Sequence, residues 1–255
     1  MPELDAHLPF ESAAMPVTGM AADYVDGHFI APHTHRRAQF LYATSGVMVI
    51  ETAAGRWVVP PTRGVWLLAN VPHTVRMRGV VNMKTLFVNP DAAPGLPTTD
   101  CVLDVSPLLR ELILAASILP LAYVADSRDG RLMRFLLDEL RALPVLPFHL
   151  PWPTDPRLNR VCTHLAAHPD DPATVGDWAT TLAMSSKTFH RQFQQHTGIT
   201  FGRWRQQARL LLSLEQLAQG DKILHVALQH GYSSQSAYSA MFKRHFGVSP
   251  SDFYR

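Results

Sequence analysis

The chain has 255 residues, 47% of them hydrophobic and 17% charged, for a formal net charge of +2. That length suits two domains with real cores and argues against disorder, and no apolar run reaches membrane-spanning length. Cys101 and Cys162 stand far apart in neither a metal-binding nor a disulfide spacing, and no amino-terminal segment resembles a signal peptide, so a cytoplasmic protein with free core thiols and no membrane partner is expected.

Residues 1 to 28 carry little pattern and are read as an arm leading into a first strand. From Phe29 to Val88 the texture is β. Gln39–Glu51 (QFLYATSGVMVIE) is rich in β-branched and aromatic residues around Gly46, and Arg56–Pro60, Gly64–Leu68 and Met83–Val88 are further short strands. Short strands broken by Gly, Pro and Asn at roughly ten-residue intervals predict a small barrel or sandwich over residues 20–90.

Within it, Gly27, His33, His35, Gln39 and Gly46 are separated by five, one, three and six residues. This spacing resembles the first motif of the cupin barrels, with Gln39 where that family usually places Glu. LANVPH, ending at His73, resembles the second, with Leu68 and Asn70 in place of its usual Pro and Gly. The resemblance implies that His33, His35, Gln39 and His73 converge inside a barrel, where three imidazoles and one oxygen donor suit a divalent first-row metal. A neutral amide brings no charge and binds a cation more weakly than a carboxylate. A small-molecule effector pocket in the barrel mouth is therefore preferred to a resident metal, with hydrogen-bonded core histidines as the plainer alternative.

After a proline-rich junction at residues 91–99 the pattern becomes helical. Ser106–Leu119 opens on a serine cap and a first-turn proline. Gly130–Leu143 places Leu132, Phe135, Leu136, Leu140 and Leu143 on one stripe, which either packs on its own barrel or makes an antiparallel dimer contact. Pro144–Pro156 holds five prolines in thirteen residues and is read as a stiff linker, drawn at residues 144–154. From Pro151 onward there are 11 Lys and Arg against 7 Asp and Glu, and before it 12 against 14. The positive half is the one suited to phosphate contact.

That half contains a duplicated pattern. ATTLAMSS at Ala179–Ser186 matches ALQHGYSS at Ala227–Ser234 at an offset of 48 residues, with Ala183 standing where Gly231 stands. Each copy has a small residue inside a short helix, a turn, and serines that cap a second helix, the layout of a helix-turn-helix. In the first copy that second helix opens at Ser186, buries Phe189 and Phe193, and leaves Lys187, His190, Arg191 and Gln194 on the opposite face. In the second, Ala237, Tyr238, Met241 and Phe242 face inward, leaving Gln235, Ser236, Ser239 and Lys243 outside. Such side chains reach base edges and phosphates in a major groove. Between the copies, Thr200–Leu217 is one helix with Arg203, Arg205 and Arg209 outside its apolar stripe, a rod expected to space the two readers about 34 Å apart, one turn of duplex.

Residues 155–255 resemble the DNA-binding domain of the AraC/XylS family of bacterial transcription regulators, and the closing GYSSQSAYSAMFKRHFGVSPSDFYR matches that family's signature nearly throughout. The cupin-like front, residues 1–143 with helices over 104–143, resembles the same family's effector and dimerisation domain. The resemblance implies an α+β two-domain chain: an amino-terminal cupin-like β-barrel with a helical dimerisation segment, then an all-α domain with two helix-turn-helix motifs. It further implies a homodimer that binds a double-stranded DNA operator and a small-molecule effector, with RNA polymerase as a partner if the output is activation. Carried over, the base-facing positions are Lys187, Thr188, His190 and Arg191 in the first copy and Ser234, Gln235, Ser236 and Ser239 in the second. Ala240 stands where some members carry arginine, so the second copy is expected to act mainly through phosphate contacts by Lys243 and Arg244. The alternatives are a metal-dependent cupin enzyme with an accessory DNA-binding domain, and an architectural DNA binder without an effector.

Overall fold

The computed structural model describes residues 7–61, 63–92, 94–143, 145–146 and 149–253. Residues 1–6 of the expected arm and residues 144, 147 and 148 of the expected linker lie outside the described residues. The chain separates into two compact units, residues 1–52 with 59–149, and residues 53–58 with 150–255.

In chain order come a short helix, α1 (Leu8–Ser12), and strands β1 (Val17–Tyr24), β2 (Phe29–His33), β3 (Ala38–Ala43), β4 (Val47–Thr52), β5 (Gly55–Val59), β6 (Arg63–Leu67), β7 (His73–Arg78), β8 (Val81–Val88) and β9 (Cys101–Asp104), all of the first unit except β5, which but for Val59 belongs to the second. Helices α2 (Pro107–Ala116) and α3 (Arg128–Arg141) come next, and the proline-rich segment carries two short strands, β10 (Val145–Leu146) and β11 (His149–Pro151). The strands form two sheets in the orders β1-β8-β3-β6-β9-β10 and β11-β5-β4-β7-β2. This is the expected cupin-like double sheet.

Gly46 turns the chain from the first sheet to the second in the left-handed region (φ 71°), where a Cβ would meet Val81 Cγ2 at 2.6 Å. Strand β3 is buried on both faces, which places its residues by their parity. Ala38, Phe40 and Tyr42 join α2 and α3 in one apolar cluster, so Gln39 and Leu41 point the other way, into the barrel. Close approach to α2 accounts for Gly19, whose Cβ would lie 2.4 Å from the Ala116 carbonyl oxygen.

Helix α3 departs from the expected stripe. Its buried residues are Gly130, Met133, Leu136, Leu137 and Leu140, while Phe135 is 45% exposed and Leu132 half-buried. Gly130 sits so close to the preceding loop that a Cβ would lie 2.1 Å from the Ala125 carbonyl oxygen, which fixes this end of α3 against the loop. The helix starts two residues before the expected Gly130 and is capped by Ser127, whose side chain accepts from the Gly130 amide.

The second unit is helical: α4 (Pro156–Ala167), α5 (Val175–Thr181), α6 (Ser186–Thr197), α7 (Phe201–Ala218), α8 (Ile223–Gln229) and α9 (Gln235–Phe246). The pairs α5–α6 and α8–α9 are the two expected motifs. Ala179 and Ala227 are buried at the helix crossings. Gly231 turns at φ 73°, and Ala183, its counterpart, adopts the same left-handed conformation at φ 52°. An alanine there bears a strain that glycine does not. Ala183→Gly is expected to stabilise the domain by about 1 kcal/mol in a thermal or urea melt; a destabilised variant would show that the turn is not strained.

Helix α7 is buried on nearly all sides, with Leu210, Ser213 and Leu214 inside as well as the expected Phe201, Trp204, Ala208, Leu211, Leu212 and Leu217. The reason is that both motifs pack on it. Phe193 meets Phe201 and Trp204 at ring centroid distances of 5.2 and 5.9 Å, and the Tyr238 hydroxyl meets Ser213 Oγ at 2.7 Å. Arg205 and Arg209, expected on the outer face, are half-buried and bonded to backbone carbonyls. Cys101 and Cys162 are both buried and free, and burial pushes the Cys101 thiol up to about 11. Among the described residues no helix is long and apolar enough to cross a membrane.

Candidate effector site and nucleic-acid interface

Strand register brings the barrel histidines together. His33, at the end of β2, lies directly opposite His73, at the start of β7, after an irregularity between Ile30 and His33. The turn following β2 carries His35, and Gln39 enters from β3, where it pairs with Phe87 of β8. The ring centroids of His33 lie 4.8 Å from His35 and 4.3 Å from His73. One ligand nitrogen from each of these three histidines lies within 4.8 Å of the others. Asn70 takes φ 62° at the position where the cupin motif has glycine, and its amide donates to the His35 carbonyl at 2.7 Å. Asparagine is the non-glycine residue that tolerates this conformation best.

The hydrogen bonds assign the tautomers. His33 Nδ1 donates to the Ala31 carbonyl at 2.8 Å, His73 Nδ1 donates to the Val71 carbonyl at 3.0 Å, and His35 Nδ1 donates to the Glu11 carboxylate. A carbonyl or carboxylate can only accept, so each Nδ1 holds the hydrogen and each Nε2 keeps its lone pair. His35 Nε2, His73 Nε2 and Gln39 Oε1 are buried with no hydrogen-bond partner. Burial lowers all three imidazole pKa values, to about 4 for His35 and His73, so the rings are neutral near pH 7. Neutral imidazoles anchored at Nδ1 and open at Nε2 form a ligand set with its outer supports already made.

His7 and Glu11, on and just before α1, were not anticipated. Glu11 holds His35 with one carboxylate oxygen and the Arg36 amide with the other, at 3.0 Å. His7 Nε2 lies 3.1 Å from Glu11, and its ring lies 4.6 Å from the His35 ring. Their signal was a His and a Glu four residues apart around a Pro in a stretch otherwise without pattern. Arg37 ties the same segment down through the carbonyls of Glu11, Ala13 and Met15. Next to these polar groups opens a cavity of about 360 Å³ with apolar walls that include Phe10, Met20, Tyr24, Met83 and Phe87. That size falls in the range of small-molecule sites.

In the helical unit, α6 exposes Ser186, Lys187, His190, Arg191 and Gln194 on one side of an aromatic inner face. Its cap is Ser185, whose Oγ accepts from the Thr188 amide at 3.2 Å and meets the Thr188 hydroxyl at 2.9 Å. Thr188 is therefore half-buried and occupied with the cap. On α9, Gln235, Ser236, Lys243 and Arg244 are exposed, with Ala240 exposed among them. Ser234 caps this helix, its Oγ accepting from the Ala237 amide at 3.1 Å, and both Ser234 and Ser239 are half-buried. Each of the two helices ends on a left-handed glycine, Gly198 and Gly247.

Two family models match the chain, an AraC-like ligand binding domain over residues 16–143 and a helix-turn-helix domain over residues 178–255. Among curated proteins the chain is similar to the HTH-type transcriptional regulator NimR of Escherichia coli (strain K12), with 34% identity over 218 residues, 86% of this chain and 80% of that protein. It is also similar to the HTH-type transcriptional activator RhaS of Escherichia fergusonii, with 35% identity over 98 residues, 38% of this chain and 35% of that protein. A structure of ToxT from Vibrio cholerae aligns over 94% of this chain and 98% of its own, at 10% identity and a TM-score of 0.40. With a ligand-binding domain matched over the sheets and a helix-turn-helix domain over the helical unit, the chain belongs to the AraC family of transcriptional regulators.

Proposed function

We propose that this transcriptional regulator acts as a homodimer that binds a double-stranded operator in a sequence-specific way and changes that binding when a small molecule enters its barrel. The observation that carries the proposal is the pairing of two capped helices, each with an aromatic inner face and a polar outer face, on one buried rod. On α6 the exposed Lys187, His190, Arg191 and Gln194 offer forked and single donors to base edges, with Ser186 and Thr188 at its amino-terminal end. On α9, Gln235 and Ser236 meet bases less selectively, Ser234 and Ser239 flank them, and Lys243 and Arg244 take phosphates. Activation, the output for which the similar RhaS is named, would make RNA polymerase a further partner.

Duplexes selected from a random pool by the full chain, then sequenced, test the proposal. Enrichment of a shared element supports it, and retention of unrelated duplexes with equal affinity defeats it. The dimer contact falls on α3, where Phe135 is exposed beside half-buried Leu132. Phe135→Asp is expected to convert a sedimenting dimer to a monomer, whereas a dimer that persists moves the contact elsewhere.

For the barrel, a divalent first-row metal is a second reading of the effector site, favoured by the unpartnered Nε2 atoms of His35 and His73 and Oε1 of Gln39. His33, His35 and His73 would hold it through Nε2, with Gln39 as the weaker oxygen donor. The apolar cavity beside them would take the body of an organic effector. The family is one of regulators, so the chain is not an enzyme and such a site would serve sensing.

A further inference from the structure

Helix α7 carries a second cluster of donors outside both recognition helices. Gly202, Arg205, Gln206 and Arg209 recur at helical spacing on one face, and Tyr232, in the turn of the second motif, borders the same cleft of about 270 Å³. The guanidiniums are held by backbone of the loop ahead of α5 and of the turn in the second motif. Arg205 Nη1 donates to the Ala173 carbonyl at 2.6 Å, just ahead of α5. Arg209 Nε donates to the Pro169 carbonyl at 2.8 Å and its Nη1 to the Gly231 carbonyl at 3.2 Å, ahead of α9.

These cations are met by carbonyl dipoles and not by a bonded carboxylate. Asp171, the acid that acts on Arg205, spends its oxygens on the Ala173 amide at 2.6 Å and on His164 Nε2 at 2.7 Å. Two donors on residues that line the cleft, Arg205 Nε and the Tyr232 hydroxyl, are buried without a hydrogen-bond partner among the described residues. Buried donors are costly to leave unpaired, and a pair of them beside two guanidiniums calls for an oxyanion.

We propose that this cleft holds one backbone phosphate of the bound duplex, lying between the stretches read by α6 and α9. The inference rests on the DNA-binding reading above and names a contact that neither recognition helix makes. α7 is the rod that joins the two readers, and the cleft is bonded to the loop ahead of the first motif and to the turn of the second, so a duplex engaged by both passes its backbone across it. Arg205 Nε and the Tyr232 hydroxyl donate to the phosphate oxygens, and Arg209 adds charge at a fixed distance.

The test uses the full chain and its selected duplex, with Tyr232→Phe and Arg205→Gln. Tyr232→Phe removes a hydroxyl that bonds nothing in the free protein, so its melting temperature is expected to hold while duplex affinity falls by roughly tenfold. Arg205→Gln is expected to lower the slope of log affinity against log salt by about 1. Ethylation of one phosphate between the two protected major-groove segments should interfere with the wild type and with neither variant. Unchanged affinity, slope and interference pattern in both variants would overturn the inference while leaving the DNA-binding reading intact. So would a cleft that serves only free anion, seen as inorganic phosphate raising the melting temperature of the wild type but not of Tyr232→Phe, with duplex binding equal in both. A wild type that retains no duplex at all sinks both.

Discussion

Replacing His73 by alanine is expected to weaken binding of a divalent first-row metal to the barrel by at least about a hundredfold, more than loss of a supporting contact does. His73 is 3% exposed, its Nδ1 is committed to the Val71 carbonyl, and its Nε2 has no hydrogen-bond partner among the described residues. Removing it leaves two imidazoles and one amide oxygen, too few donors to compete with water. Glu11→Gln should cost less, roughly tenfold to a hundredfold, because Glu11 only orients His35. Gln39→Glu should act in the opposite direction, since a carboxylate brings the charge the amide lacks. Competition against a chromophoric chelator measures all three. If His73→Ala binds metal as the wild type does, the imidazoles are ordinary core residues and the cavity beside them is the whole effector site.

Arg191→Ala is expected to cost about 1 to 3 kcal/mol of duplex affinity, confined to one base position. The side chain lies on the exposed face of α6, where a guanidinium can fork onto a guanine. Affinities measured on single-base variants of the selected duplex separate the outcomes. A loss that disappears when one particular base pair is changed marks direct readout. An equal loss on every sequence makes Arg191 a phosphate contact and moves the selectivity to Lys187 and His190.

The barrel and both motifs were legible in the sequence because their signals are local. The spacing from Gly27 to Gly46 carries a resemblance that implies a converging site, and the antiparallel register places His33 opposite His73. The 48-residue repeat identified the turn at Ala183, which takes a left-handed conformation that alanine ordinarily avoids. Missed features depend on contacts between distant segments. β9, β10 and β11 are too short to show an alternation of their own and exist through partners across the sheets, whereas β7 (HTVRMR) does alternate and was passed over. His7 and Glu11 reach the site only because α1 folds back onto the β2–β3 turn, held by Arg37. On α3 the buried face takes in Gly130, Met133 and Leu137 beside the expected Leu136 and Leu140, and the close packing of Gly130 on the Ala125 carbonyl leaves no trace in helical periodicity. The arginines of α7 looked like a solvated face by spacing, yet Arg205 and Arg209 bind carbonyls of loops more than twenty residues away.

The outer faces of the two helices proposed to read DNA are unequal. α6 presents a lysine, a histidine and an arginine together, whereas α9 presents Ala240 and small hydroxyls on its outer face and keeps its charges, Lys243 and Arg244, near its end. Sequencing of the duplexes retained by the full chain, beside those retained by Arg191→Ala and by Gln235→Ala, measures this most directly. Two segments about one helical turn apart are expected, one sharply defined and one loose. The Arg191 variant should blur the sharp segment, and the Gln235 variant should leave it unchanged. A sharp segment that survives Arg191→Ala and vanishes with Gln235→Ala would contradict the assignment of selectivity to α6.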